Sequence, residues 1–176
     1  AGFRPLLSRE LFRSGIPIGI GQMFWVVRMF GATLIVGLVA TAEDTGYFAG
    51  AMRIFIALHT FVWLYFFNLF PAMSRAWIEG RAAFVALTTR SIRMVALACA
   101  AVGAAWVTLS SFAITTAYGP EFLTGVPVLQ WLAGAWIAAA VSGHFRFGLI
   151  AAGRQVREMA SSGIGAGPTL VMVAFA

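Results

Sequence analysis

Gly15-Ile-Pro-Ile-Gly-Ile-Gly-Gln-Met-Phe-Trp-Val-Val-Arg28-Met-Phe-Gly-Ala-Thr-Leu-Ile-Val-Gly-Leu-Val-Ala40 is the stretch on which the fold turns. It carries a single charge, Arg28, near its middle. A helix needs about 20 apolar residues to cross the hydrocarbon core of a bilayer, and this run is long enough. A guanidinium at that depth costs at least ~2.5–3.5 kcal/mol. Charges placed this way usually face a polar or watery interior, so Arg28 points to a membrane protein with a hydrophilic pathway.

The rest of the chain agrees. Of 176 residues, 61% are hydrophobic and only 10% charged, whereas a soluble domain carries about 25% charge. Mean hydropathy is +0.89. The apolar runs are continuous, not strictly alternating, which excludes a lipid-facing β-barrel. The class is all-α integral membrane. All twelve basic residues are arginines and the net charge is +6. In a soluble protein that balance would suggest nucleic acid. Here the arginines cluster between apolar runs, so the charge reads as topology and no nucleic-acid partner is expected. Cys99 stands alone, which leaves no disulfide framework and no cysteine metal site, and no cofactor is expected. The first residues lack the short apolar core and cleavage site of a signal peptide. The chain opens at Ala1 and closes inside an apolar run that begins near Ile164. Roughly 14 residues cover about 21 Å, short of a ~30 Å core. The expectation is a piece of a longer, transporter-sized protein.

Residues 1–14 read as a short amphipathic helix in the membrane interface, with Phe3, Leu6, Leu7, Leu11 and Phe12 opposing Arg4, Arg9, Glu10 and Arg13. Residues 15–176 read as a transmembrane bundle. Four full spans are expected, at about 16–40, 46–72, 92–113 and 126–151, and a truncated fifth at 163–176. Glu43 and Asp44 lie in the first turn. Pro71 is expected to kink or end the second span, before a polar loop from Ser74 to Arg81. Ala82 to Ser91 is expected to prolong the third helix beyond the lipid. Tyr118, Gly119 and Pro120 break the chain again, and Gly153 to Glu158 reads as a charged loop.

Numbered by turns, one membrane face holds nine arginines: Arg4, Arg9, Arg13, Arg75, Arg81, Arg90, Arg93, Arg154 and Arg157. The opposite face holds Glu43, Asp44 and Glu121 and no arginine. The excess of arginine assigns the first face, and with it the N-terminus, to the cytoplasm.

Outside those loops stand Arg28, Arg53 and Arg146, with His59 and His144. No acidic residue is expected inside a span. A functional reading gathers Arg28, Arg53, His59 and Arg146 into a cationic cavity for an anionic group such as a phosphate or pyrophosphate, whose oxygens suit the planar fork of arginine. Alternatives stand beside it. Arg53 and Arg146 can snorkel to an interface. Arg28 can pair with a carboxylate elsewhere in a longer protein. His59 either handles protons or is a hydrogen-bonded packing residue, and His144 is similar. The aromatics of the second span suit lipid or interhelix packing better than a sugar platform. No nucleophile-base set, metal cluster, phosphate-binding glycine loop or paired carboxylate is present, so no enzyme is expected.

Several short motifs, in order, resemble the polysaccharide-exporter branch of the multidrug/oligosaccharidyl-lipid/polysaccharide (MOP) exporter superfamily. Gly15-Ile-Pro17-Ile-Gly19 is similar to a proline-containing helix start. Gly46-Tyr47-Phe-Ala49-Gly-Ala51-Met-Arg53 and Pro71-Ala-Met-Ser74-Arg75 are similar to the opening and end of the next helix. Tyr118-Gly119-Pro-Glu121-Phe122 and Val126-Pro127-Val-Leu129-Gln130-Trp-Leu132 are similar to the stretch before a later one. The resemblance implies the second half of a MATE-like 12-helix transporter working by alternating access in a bacterial inner membrane. It implies an undecaprenyl-pyrophosphate-linked oligosaccharide as substrate, membrane lipid as surroundings, and a coupling ion, proton or sodium. Two relatives of the same architecture remain open, a lipid II flippase and a drug/cation antiporter; the antiporter would be expected to carry carboxylates in its cavity. A non-transporting membrane scaffold subunit is the alternative from another class.

Overall fold

The computed structural model describes the backbone of residues 5–175, and the side-chain surroundings of Phe12 and of residues 15–168. Phe3 and Arg4, the remaining side chains of the expected amphipathic face apart from Phe12, and those from Thr169 onward lie outside the described residues.

Among the described residues five α-helices follow one another: α1 (Pro5–Val39), α2 (Ala42–Glu79), α3 (Arg81–Tyr118), α4 (Val126–Ala151) and α5 (Gln155–Phe175), with a 3-10 turn, Pro120–Gly125, before α4. Among the described residues four segments are long and apolar enough to cross a membrane: Gly15–Val39, Ala42–Glu79, Arg81–Tyr118 and Pro120–Ala151. The protein is an all-helical, multi-pass membrane protein. Helices dominate because a helix satisfies its own backbone polar groups where water is absent.

The joints are tight. Thr41 caps α2: its Oγ1 accepts from Asp44 N at 3.1 Å and donates to Asp44 Oδ2 at 2.7 Å. Glu43 and Asp44 in that first turn oppose the positive end of the helix dipole. Between α2 and α3 only Gly80 intervenes, at φ +134°, a conformation that side chains with a Cβ rarely adopt. The expected loop from Ser74 to Arg81 is therefore helix almost throughout, and Pro71 does not end α2. A proline there removes the hydrogen bond to the Phe67 carbonyl, and Pro71 and Phe67 are both on the exposed side. The segment before Gly15 joins its span without a break, since α1 is continuous from Pro5.

The helices form two compact units. One unit packs α1 against α5; the other packs α2, α3 and α4 together. In the second unit the buried positions recur at three- and four-residue steps: Phe55, His59, Val62 and Phe66 on α2, Cys99, Gly103, Trp106 and Ser110 on α3, and Leu129, Ala133, Trp136, Ala140 and His144 on α4. Large apolar side chains such as Phe61, Leu97, Phe112, Trp131 and Phe145 remain exposed. Outer faces of this kind suit acyl chains. Because lipid is as apolar as leucine, packing and hydrogen bonds drive association, which explains the small residues at Gly103, Ser110, Ala133, Ala140 and Gly148.

Candidate functional site

In the first unit, α1 and α5 run side by side in the same direction. Gly21 lies at Glu158, Phe24 at Gly163, and Arg28 at Gly165. Glycine permits this approach. A methyl at Gly21 would come within 2.6 Å of Glu158 Oε2, one at Gly163 within 3.2 Å of the Phe24 ring, and one at Gly165 within 3.0 Å of Arg28 Nη1. Arg28 thus lays its guanidinium along the bare backbone of α5 while its side chain stays exposed. It stands mid-way along the span Gly15–Val39, about 20 Å from one end and about 17 Å from the other at helical rise. A stem that snorkels only several Å does not reach either interface.

Glu158 departs from expectation. It belongs to the first turn of α5, not to a loop, and is 0% exposed. Ser162 Oγ donates to Glu158 Oε1 at 2.8 Å, and Ser161 Oγ donates to the Glu158 carbonyl at 2.8 Å. Burying a carboxylate is costly unless it is hydrogen-bonded or paired. The hydroxyl of Ser162 and the positive end of α5 offset part of that cost.

In the second unit Arg53, His59 and Arg146 have different surroundings. Arg53 is exposed on α2. His59, six residues on, is buried and stacks on Phe55 at 5.6 Å with 7° between the rings. Phe55 leads to Trp106, and Trp106 to Trp136 at 5.8 Å. His59 therefore belongs to an aromatic core that Arg53 does not enter. Arg146 is half-buried on α4, two residues past the buried His144, which places the two on nearly opposite faces of the helix. Arg28 belongs to the other unit.

A different polar group lies inside the second unit. Tyr65 on α2 hydrogen-bonds Ser91 on α3, and Ser91 Oγ lies 2.8 Å from His144 Nε2 on α4. His144 Nδ1 lies 3.2 Å from the Val141 carbonyl. His144 is 0% and Ser91 6% exposed, whereas Tyr65 is half-buried. Phe66 packs edge-on against the imidazole at 4.9 Å and stacks on Phe147. His144 stands out in the sequence, whereas neither of its partners does. Tyr65 was one aromatic among many, and Ser91 sat in a segment expected to protrude beyond the lipid. The usable signal was that all three occupy, or border, the buried helical steps.

An apolar groove on the same unit, lined by Ile54, Leu58, Val102, Leu109 and Leu129 among others, suits a hydrocarbon chain and offers nothing to a sugar. No cluster of metal-ligating side chains occurs among the described residues. Comparison with family models, with curated proteins and with solved structures finds no match.

Proposed function

We propose that the chain is part of an exporter that flips a lipid-linked oligosaccharide across a bacterial inner membrane by alternating access, within a MATE-like twelve-helix architecture of the polysaccharide branch. The observation that carries this reading is Arg28: a guanidinium held at mid-span against the glycine backbone of a neighbouring helix. A lipid carrier keeps its tail in the bilayer while its polar head needs a charged, wet path. Arg28 supplies a bidentate partner for the pyrophosphate of an undecaprenyl-pyrophosphate-linked glycan. The arginine-rich face is cytoplasmic in this reading, and the head group is taken up from that side.

The test is surface glycan display by cells whose full-length protein carries Arg28→Ala or Arg28→Lys. The alanine variant is expected to abolish display while membrane expression persists. Lysine rescues only in part, because it keeps the charge but loses the planar fork. Normal display by the alanine variant overturns the proposal, and loss of expression instead of display favours a scaffold.

One observation favours a second reading. A drug/cation antiporter needs a carboxylate inside the membrane protein, and Glu158 is a fully buried one. In that case Glu158→Gln abolishes efflux of ethidium from cells, and Arg28→Ala leaves it intact.

A further inference from the structure

We propose that Tyr65, Ser91 and His144 form a proton-binding site whose occupancy reverses a line of hydrogen bonds across α2, α3 and α4. As the coupling site of the exporter this rests on the function proposed above; as a proton site it rests on geometry alone.

The direction of the line follows from one fixed end. The Val141 carbonyl can only accept, so His144 Nδ1, 3.2 Å away, carries a hydrogen. In the neutral ring Nε2 is then bare and accepts from the Ser91 hydroxyl at 2.8 Å. Having spent its only hydrogen, Ser91 accepts from the Tyr65 hydroxyl. The neutral state therefore points every O–H from Tyr65 inward to the imidazole.

A proton added at the Tyr65 oxygen completes the alternative. Tyr65 passes its own hydrogen to Ser91, Ser91 passes its hydrogen to His144 Nε2, and the incoming proton stays on Tyr65. One proton has entered, the imidazole has become imidazolium, and no other charge has changed. Nε2 now donates to Ser91, Ser91 donates to Tyr65, and the Tyr65 hydrogen points outward. The same heavy-atom positions serve both states, so the site can load without repacking. Its closed end is His144, fully buried, and its open end is Tyr65, half-buried. Imidazole is the side chain suited to this, since it changes charge near neutral pH.

The surroundings leave the imidazole as the group that changes charge. From α2, Tyr65 faces His144, and Arg75 is exposed further along that helix. From α3, Ser91 faces it, while Arg90 and Arg93 on either side are exposed. On α4 itself Arg146 lies on nearly the opposite face. The rings of Phe66 and Tyr65 also pack against it. Loading the site places a positive charge among three helices and turns the outermost hydroxyl from a donor directed inward to one directed outward. That outward hydrogen is a readout that a neighbouring element or a water can sense.

Two measurements on the full-length protein decide the matter. The first is nitrogen NMR of histidine-labelled protein in lipid bilayers across a pH titration, with His144 assigned by its loss in His144→Gln. His144 is expected to show a protonated Nδ1 and a bare Nε2 at high pH, and both nitrogens protonated at low pH. Ser91→Ala and Tyr65→Phe, neither of which removes a charge, are each expected to move the midpoint, although the hydroxyl that Tyr65→Phe removes reaches the imidazole only through Ser91. A bare Nε2 at every pH, or a midpoint that ignores both variants, overturns the proton site. The second is proton movement in liposomes holding pyranine, with undecaprenyl pyrophosphate added as the probe. Wild type is expected to move protons on addition, and His144→Gln to do so at least ten-fold more slowly. Equal rates overturn the coupling role. Absence of movement in wild type itself counts against the export reading, while the NMR titration still decides the site.

Discussion

Glu158 and His144 are both completely buried polar side chains, yet the two units accommodate them differently. In the α1–α5 pair the carboxylate is seated by subtraction. Gly21 gives up its side chain, and the hydroxyl that reaches Glu158, from Ser162, comes from the same helix one turn on. In the α2–α4 bundle the imidazole is seated by addition: a serine and a tyrosine from two other helices extend a bonded line to it, and aromatic rings close around them. The first arrangement depends on how closely two backbones approach. The second depends on three helices holding their depth relative to one another. Steric changes should therefore be absorbed by the flexible carboxylate of the first unit and resisted by the rigid rings of the second.

The largest effect is expected where that resistance is greatest. A methyl placed on Gly143 would enter the Phe66 ring. Phe66 is only 1% exposed, stacks on Phe147 with 4.9 Å between centroids, and meets His144 edge-on. It has no room to withdraw. Overpacking of this kind costs about 2–3 kcal/mol, so Gly143→Ala should lower the thermal unfolding midpoint in detergent markedly. Gly134 on the same helix has nothing within 4 Å of a would-be Cβ. Gly134→Ala should be neutral or gain up to ~1 kcal/mol from helix propensity. Equal responses at the two positions would show that the Phe66 ring does not resist as its packing requires.

A smaller effect is expected at Gly21. A methyl there meets the end of the Glu158 side chain, not a ring or a backbone atom. The carboxylate can shift, but in doing so it strains the bond from Ser162 and gains no solvent. A disturbed buried acceptor costs about 1–2 kcal/mol. The diagnostic is the double-mutant cycle: Gly21→Ala should be distinctly milder in a Glu158→Ala background, because the colliding group is gone. If Gly21→Ala costs the same in both backgrounds, the carboxylate is not what the glycine accommodates.

The membrane class and the four spans were legible from length and apolarity, because both are properties of a helix taken alone. What failed were features that only a partner helix decides. The polar run Gly153-Arg-Gln-Val-Arg-Glu158 looked like a loop on composition. Arg154 and Arg157 are indeed exposed, but Glu158 turns inward onto a glycine 137 residues earlier, a pairing that no local pattern announces. Pro71 reads as a kink or a helix end because its lost hydrogen bond is local, and α2 nonetheless runs past it to Glu79. Ser91 is inconspicuous because it ends the stretch from Ala82 that is expected to prolong the third helix beyond the lipid. Arg28 was conspicuous because a lone charge in a long apolar run needs no partner to be noticed. Depth along a helix does not fix the face as well: of the cations grouped with Arg28, Arg53 is exposed and Arg146 half-buried.

The mildest change tests whether a polar group outside both packed regions matters at all. Thr41 is exposed and belongs to the joint before α2. Its oxygen satisfies the Asp44 N–H, one of the donors that a helix start leaves without an intrahelical partner. Thr41→Ala removes that cap and costs about 1 kcal/mol; serine, which keeps the hydroxyl, should recover most of it. Because Thr41 packs into neither core, the loss should appear as faster hydrogen exchange at the first amides of α2 and leave His144 and its partners protected. A fall in protection that spreads to the buried steps from Phe55 to Phe66 would mean that α2 unravels from its capped end, and that the bonded line inside the bundle owes its depth to a threonine at the surface.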